Sequence, residues 1–235
     1  MDMKVTLLAS LLLIGGCATQ GTSTHHYSES VKRKIANETT VDGAYSAVWD
    51  VLVRDLAKSF YVINNIDKES RIINVSFTST DADDYVDCGR TQRTFAEGER
   101  VERYDYAVAS KSTFKVAAQR QEHPAFSNYA VIVREPILEG RANIYVAPVP
   151  GDVARTTISV NTRYILNIRV RGEGFAKHIS GNIQSRGRLP EETSTYTFNT
   201  GGSSSKDAGN GVTVTCSSRG KLESEILGFV AMKRP

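Results

Sequence analysis

The chain has 235 residues, 40% of them hydrophobic and 23% charged, which is ordinary globular composition and enough for one large domain or two small ones. Its 29 Lys and Arg against 26 Asp and Glu leave a formal net charge of only +3. That charge is too weak and too dispersed for a nucleic-acid binder, whose cations gather on one face.

In chain order, the first feature is a start carrying Lys4, an apolar run from Val5 to Ile14, and the exit Gly15-Gly16-Cys17. A membrane-spanning helix needs about twenty apolar residues, so this shorter run reads as a secretory signal. Ile14-Gly15-Gly16-Cys17 resembles the lipobox of bacterial lipoproteins: an aliphatic residue, two small residues, then Cys. The resemblance implies a lipoprotein signal peptide over 1–16 and acylation of Cys17, palmitate among its chains. An ordinary secretory signal is the alternative. Ala18 stands where Asp usually implies retention at the inner membrane, so the same resemblance implies an outer-membrane lipoprotein anchored through Cys17, its domain facing the periplasm. Several acyl chains on one cysteine suffice for stable anchoring.

Residues 17–40 are polar and lack periodicity, and we read them as a lipid-anchored flexible tether. His25-His26 and Lys32-Arg33-Lys34 lie in it, the first more naturally solvated than metal-bound, the second more naturally solvated than seated on headgroups. With Cys17 assigned to lipid, Cys88 and Cys216 remain. An even remainder in an oxidising compartment reads as one disulfide. A metal pair or a catalytic thiol would need His or acid partners, and no Cys-x-x-Cys spacing or nearby histidine supplies them.

A single domain is expected over 41–235. Asp42 is a credible N-cap for a helix in which Ala44, Ala47, Val48, Val51, Leu52 and Leu56 form the apolar stripe, with Trp49 on the alternating positions. The helix is expected to end near Ser59. Phe60–Ile66 and Arg71–Phe77 read as two strands around the polar turn Asp67-Lys68-Glu69-Ser70, a hairpin. The order Ala47-Val48-Trp49, Tyr61-Val62, Asp67-Lys68-Glu69-Ser70 and Val75-Ser76-Phe77 is similar to the helix-grip units of BamC-type lipoproteins of the outer-membrane β-barrel assembly machinery. Here the glycine of the turn is replaced, with Arg71 following Ser70. The resemblance implies a scaffold; a site decides function.

The stretch 80–121 carries little pattern. Asp81, Asp83, Asp84 and Asp87 cluster before Cys88, but without the Gly and terminal Glu of an EF-hand, and four acids in a solvent loop are common. From Asn128 the strand signal strengthens: Tyr129–Arg134, an interruption at Pro136, then Gly140–Val146. Ile158, Val160, Thr162, Tyr164, Leu166, Ile168 and Val170 share one parity, the mark of an antiparallel strand with one buried face. Arg163, Arg169 and Arg171 lie along its wet face. Residues 172–188 read as a glycine-rich connector containing His178, Ser194–Thr200 as a strand, Gly201–Gly211 as a flexible hairpin tip, and Val212–Cys216 as the partner strand. Ser217 or Ser218 then caps a last helix striped by Leu222, Ile226, Phe229 and Val230.

These elements predict an α+β fold: a curved antiparallel sheet with an N-terminal and a C-terminal helix packed on one face, helix-grip-like. Two functions follow. One is a non-enzymatic, lipid-anchored envelope protein acting as a protein-interaction or assembly module, with an envelope protein as partner. The other is a START-like carrier of a lipid or small hydrophobic ligand. His25 and His26 fall in the tether, and His123 and His178 sit in no motif. The expectation is therefore no enzyme, no catalytic residue, no metal, no cofactor and no nucleic-acid partner.

Overall fold

The computed structural model describes residues 20–118, 125–209 and 211–231. The strands are β1 (Thr22–Ser28), β2 (Glu38–Asp42), β3 (Val62–Asp67), β4 (Ile72–Ser79), β5 (Val86–Asp87), β6 (Arg90–Glu97), β7 (Arg100–Ala107) and β8 (Ser112–Ala117). They continue with β9 (Phe126–Val149), β10 (Asp152–His178), β11 (Ile183–Arg188), β12 (Glu192–Asn199), β13 (Ser203–Asp207) and β14 (Thr213–Ser218). Helix α1 is Tyr45–Ala57 and helix α2 is Lys221–Ala231.

The spine is the long hairpin of β9 and β10, paired antiparallel from Phe126↔His178 to Asp152↔Val149, with one irregularity between Asp152 and Thr156. Along the free edge of β10 lie β2, β12 and β11 in succession; along that of β9 lie β4, extended by β3, and then β8. Two three-stranded sheets, β1–β6–β7 and β13–β14–β5, complete the molecule. Even-numbered residues of β10 from Thr156 to Ile168 are buried, as their alternation requires.

This corrects the expected α+β class. Among the described residues 61% are strand and 13% helix, in three sheets with two short helices, so the protein is mostly β. The overlooked strands share a physical trait. β1 (Thr-Ser-Thr-His-His-Tyr-Ser), β11 (Ile-Gln-Ser-Arg-Gly-Arg) and β13 (Ser-Ser-Ser-Lys-Asp) are exposed almost throughout, so no apolar alternation marks them. Their strand state comes from pairing backbone N–H and C=O with a neighbour, a demand that side-chain pattern does not record. For the same reason residues 17–40 are not all tether: β1 lies on β6 and β2 on β10.

Smaller differences have equally local causes. Asp42 pairs with Arg155 in the ladder, so α1 begins after Ala44 without a side-chain cap. Trp49 is buried with Val48, Leu52 and Leu56, its ring 5.7 Å from Tyr45. Arg71 (φ 61°) takes the left-handed conformation that glycine adopts without strain. Pro136 sits in the gap between β8 and β4 on the edge of β9, where a missing N–H is tolerated. Gly172 and Gly174 of the supposed connector lie inside β10, and side chains cover the first: a Cβ on Gly172 would come within 2.8 Å of Leu189 and 2.9 Å of Ile132.

Helices α1 and α2 meet each other and cover the β2–β10–β9 end of the large sheet. Leu52, Leu56, Ile73, Ile144, Val146, Ile158, Val160, Leu166, Leu222 and Ile226 are fully buried there. The β1–β6–β7 sheet lies at the other end of the spine, beside β8.

Candidate functional site

A cleft of about 420 Å³ opens between the β1–β6–β7 sheet and the face formed by β8, β9, β10 and β12, with the β13–β14 hairpin at its side. Ligand clefts of about 300–1,000 Å³ lined by apolar and aromatic groups with a few polar ones are the usual form of a small-molecule site. Val116, Ile132, Ile168, Val170 and Val212 line the apolar part.

Two arginines stand at the polar part. Arg93 on β6 donates from Nε to the Tyr106 hydroxyl at 2.9 Å, and its guanidinium lies 4.6 Å from the Phe114 ring centre. Arg134 on β9 donates from Nη2 to the Val108 carbonyl at 3.0 Å and lies 5.4 Å from the Tyr106 ring centre. Tyr106 and Phe114 are themselves stacked at 5.5 Å, so the paired rings hold both guanidinium planes. Among the described residues neither arginine forms an ion pair with a carboxylate; Nη1 of Arg134 is buried without a hydrogen bond of normal geometry, the Tyr106 hydroxyl being its polar neighbour. Burial lowers the pKa of Arg134, with the charge of Arg93 pushing in the same direction and Tyr106 opposing. Burial, then Arg93, His26 and Arg134, lower that of His25 at the same cleft. Glu192 and Asp207, both exposed, also line the cleft.

The disulfide sits beside this cleft. Cys88 and Cys216 are bonded, Sγ–Sγ 2.04 Å, tying the start of β6 to β14. Tyr27, a cleft residue, donates its hydroxyl to the Cys88 carbonyl at 3.1 Å and accepts from the Thr215 amide at 3.4 Å. The bond therefore fastens the β1–β6–β7 wall to the β13–β14 hairpin at the cleft's side.

The remaining candidates fall apart. Cys17 and His123 lie outside the described residues. His25 and His26 are on β1, opposite Arg93 and Gln92, and His178 bonds locally to Ser180 at the end of β10. Three of the four clustered acids are engaged by cations: Arg219 bonds Asp83 at 3.2 Å and reaches Asp87 at 3.6 Å, while Lys221 holds Asp84 at 2.7 Å. Asp87 also accepts the Gly89 amide at 3.0 Å, so the cluster pins the 3-10 turn Ala82–Asp84 to the start of α2. Of the wet-face arginines, Arg169 pairs with Glu191 at 3.2 Å and Arg171 with Glu135 at 2.7 Å. Arg163 lies opposite Arg141 across the β9–β10 ladder.

A second polar centre is sealed inside the helix-covered end. Glu223, fully buried on α2, accepts from Tyr164 at 2.8 Å and from Thr200 at 2.7 Å, and Ser218 donates to the Tyr164 oxygen at 3.3 Å. It clamps α2 to β10 and β12 and does not face the cleft.

Sequence reasoning passed over Arg93, Arg134 and Glu223. The available signal was a charge on an inward position. Arg93 shares parity with buried Thr91 and Phe95, and Arg134 shares it with Ile132 and Leu138. Glu223, Ile226, Leu227 and Val230 form one helical stripe with an acid in it. Comparison of the chain with protein families, curated proteins and solved structures returned no match.

Proposed function

We propose that this is a non-enzymatic, lipid-anchored protein of the bacterial envelope, held by acylated Cys17 at the outer membrane, whose work is to bind a ligand in the cleft between its sheets. One observation carries the ligand-binding part: a cleft of about 420 Å³ lies between two layers of the fold, with two ring-stacked arginines at its polar part and a disulfide tying one wall to the hairpin at its side. The anchoring part rests on the lipobox residues Ile14–Cys17.

Native mass spectrometry of the protein recovered from the envelope tests the binding. A co-purified adduct of lipid or metabolite size is expected, and Val170→Trp, which fills the cleft, is expected to abolish it. A bare chain that also takes up no apolar probe would overturn the reading. For the anchor, Cys17→Ala is expected to release the protein from the membrane fraction; equally firm membrane retention would sink that half.

A further inference from the structure

The polar end of the cleft has a chemistry that specifies its ligand further, given the binding reading above. Arg93 and Arg134 form no ion pair with a carboxylate among the described residues, although other cations of the same sheets are paired: Lys115 with Glu102 at 2.7 Å, Lys177 with Glu97 at 2.7 Å, Arg90 with Asp105 at 2.7 Å. Leaving guanidiniums partly buried and unpaired is costly, and placing two side by side adds repulsion. The protein nevertheless fixes them. Arg93 is laid on Phe114 and bonded to Tyr106, and Arg134 is laid on Tyr106 and bonded to the Val108 carbonyl. These contacts use Nε of one and Nη2 of the other, so both arginines keep N–H donors that no carboxylate among the described residues takes up. Planar forks held in place by rings, with spare donors, are suited to the oxygens of an acid. The acids at the cleft, Glu192 and Asp207, are exposed and make no ion pair with either arginine. Beyond the arginines the walls turn apolar, with Val116, Ile132 and Val170.

We propose that Arg93 and Arg134 form an anion-recognition end of the cleft, and that its ligand is an amphipathic acid: an apolar body carrying a carboxylate or phosphate-like head. The rings preorganise the two guanidiniums, the head group neutralises them, and the body displaces water from the valine- and isoleucine-lined part. Ligands bearing only one of the two features bind more weakly.

The test uses two fluorescent probes that share an aromatic body, anilinonaphthalene sulfonate, which is anionic, and phenylnaphthylamine, which is neutral. They are titrated into the mature chain, produced without residues 1–16 and carrying Cys17→Ser, so that neither acyl chains nor the apolar run Val5–Ile14 competes for the probes. Both are expected to bind, the anionic one more tightly. Arg93→Gln is expected to weaken the anionic probe by about tenfold to a hundredfold and leave the neutral one unchanged. Arg134→Gln is expected to do the same, but it also removes a bond to Val108. Should Arg134→Gln misfold, Arg93→Gln with an unaltered melting temperature decides between the outcomes. Equal affinity for the two probes, unmoved by Arg93→Gln, would overturn the anion site while leaving the binding reading intact. No binding of either probe would remove the cleft reading and this inference with it. Displacement separates the sources of the head group: decanoate is expected to displace the anionic probe and inorganic phosphate at the same concentration is not. Displacement by phosphate as effective as by decanoate would overturn the amphipathic requirement.

Discussion

The two ends of the β9–β10 hairpin are built from the same two strands and finished differently. Near the Pro150-Gly151 turn, helices α1 and α2 cover the sheet, and Leu52, Leu56, Ile144, Ile158 and Ile226 lose all contact with solvent. At the other end a second sheet provides the cover; there Ile132, Arg134 and Val170 stay only partly buried and a cleft remains. A helix offers side chains in interlocking rows that fill against a sheet. The β1–β6–β7 layer instead presents Arg93, His25 and Tyr27, whose polar tips cannot be packed flush against valines. Close packing and the open cleft therefore lie at opposite ends of one hairpin, and the proposed site falls where packing is incomplete.

Unfastening the cleft is expected to do the most damage. The double variant Cys88→Ser, Cys216→Ser frees a closure spanning a sequence separation of 128 residues. The chain-entropy model assigns such a closure about 5 kcal/mol. Urea unfolding is expected to show a loss approaching that size, and the affinity of the anionic probe is expected to fall at urea concentrations too low to unfold the chain. Unchanged probe affinity in a folded double variant would show that the bond does not brace the cleft.

Truncations come next and separate the two ends directly. Leu52→Ala, in the filled end, is expected to cost about 2–5 kcal/mol, the usual range for deleting a fully buried leucine. Val116→Ala, on the cleft wall, is expected to cost under about 1.5 kcal/mol, since space already adjoins it. Equal costs from urea midpoints would erase the distinction between the ends.

The mildest change comes with pH. Burial first, and then the neighbouring Glu223 carboxylate, raise the Tyr164 phenol above its ordinary value of 10.0. Tyr61 is raised likewise, by burial and then by its bond to Glu225. At the cleft end Tyr104 is pushed up to about 12 by burial and by its bond to Glu102. A raised phenol favours the fold while the unfolded chain keeps its proton. The contribution is therefore complete below pH 10 and is lost as pH rises through and beyond that value. Urea midpoints are expected to hold steady near neutrality and fall above about pH 10. Tyr164→Phe is expected to make that fall shallower, at a cost near neutral pH of about 1–3 kcal/mol because Glu223 loses a buried donor. An undiminished alkaline slope in that variant would show that the filled end does not govern it.

Legibility in the sequence followed the same division. The helix α1, the β3–β4 hairpin, the buried parity of β10 and the helix α2 were readable because each couples an apolar stripe to one buried face. The β6–β7 hairpin was not, since Arg90, Gln92, Arg93, Arg103 and Asp105 mask its few inward apolar positions. The cleft was hidden for the same reason: Arg93 and Arg134 are far apart in the chain and carry no motif, and only their inward parity hinted at them.

Residue type and period were enough to say which segments have one face to bury, since that property belongs to each segment alone. The residue count likewise left Cys88 and Cys216 as the two cysteines beyond the N-terminal stretch Ile14–Cys17. Polar segments such as β1, β11 and β13 became strands only through the folded arrangement, because an exposed strand exists by virtue of the neighbour whose N–H and C=O it satisfies. The folded arrangement also brought two arginines together over stacked rings at the polar part of a cleft. That meeting is a property of how two sheets face each other, and no local stretch of chain contains it.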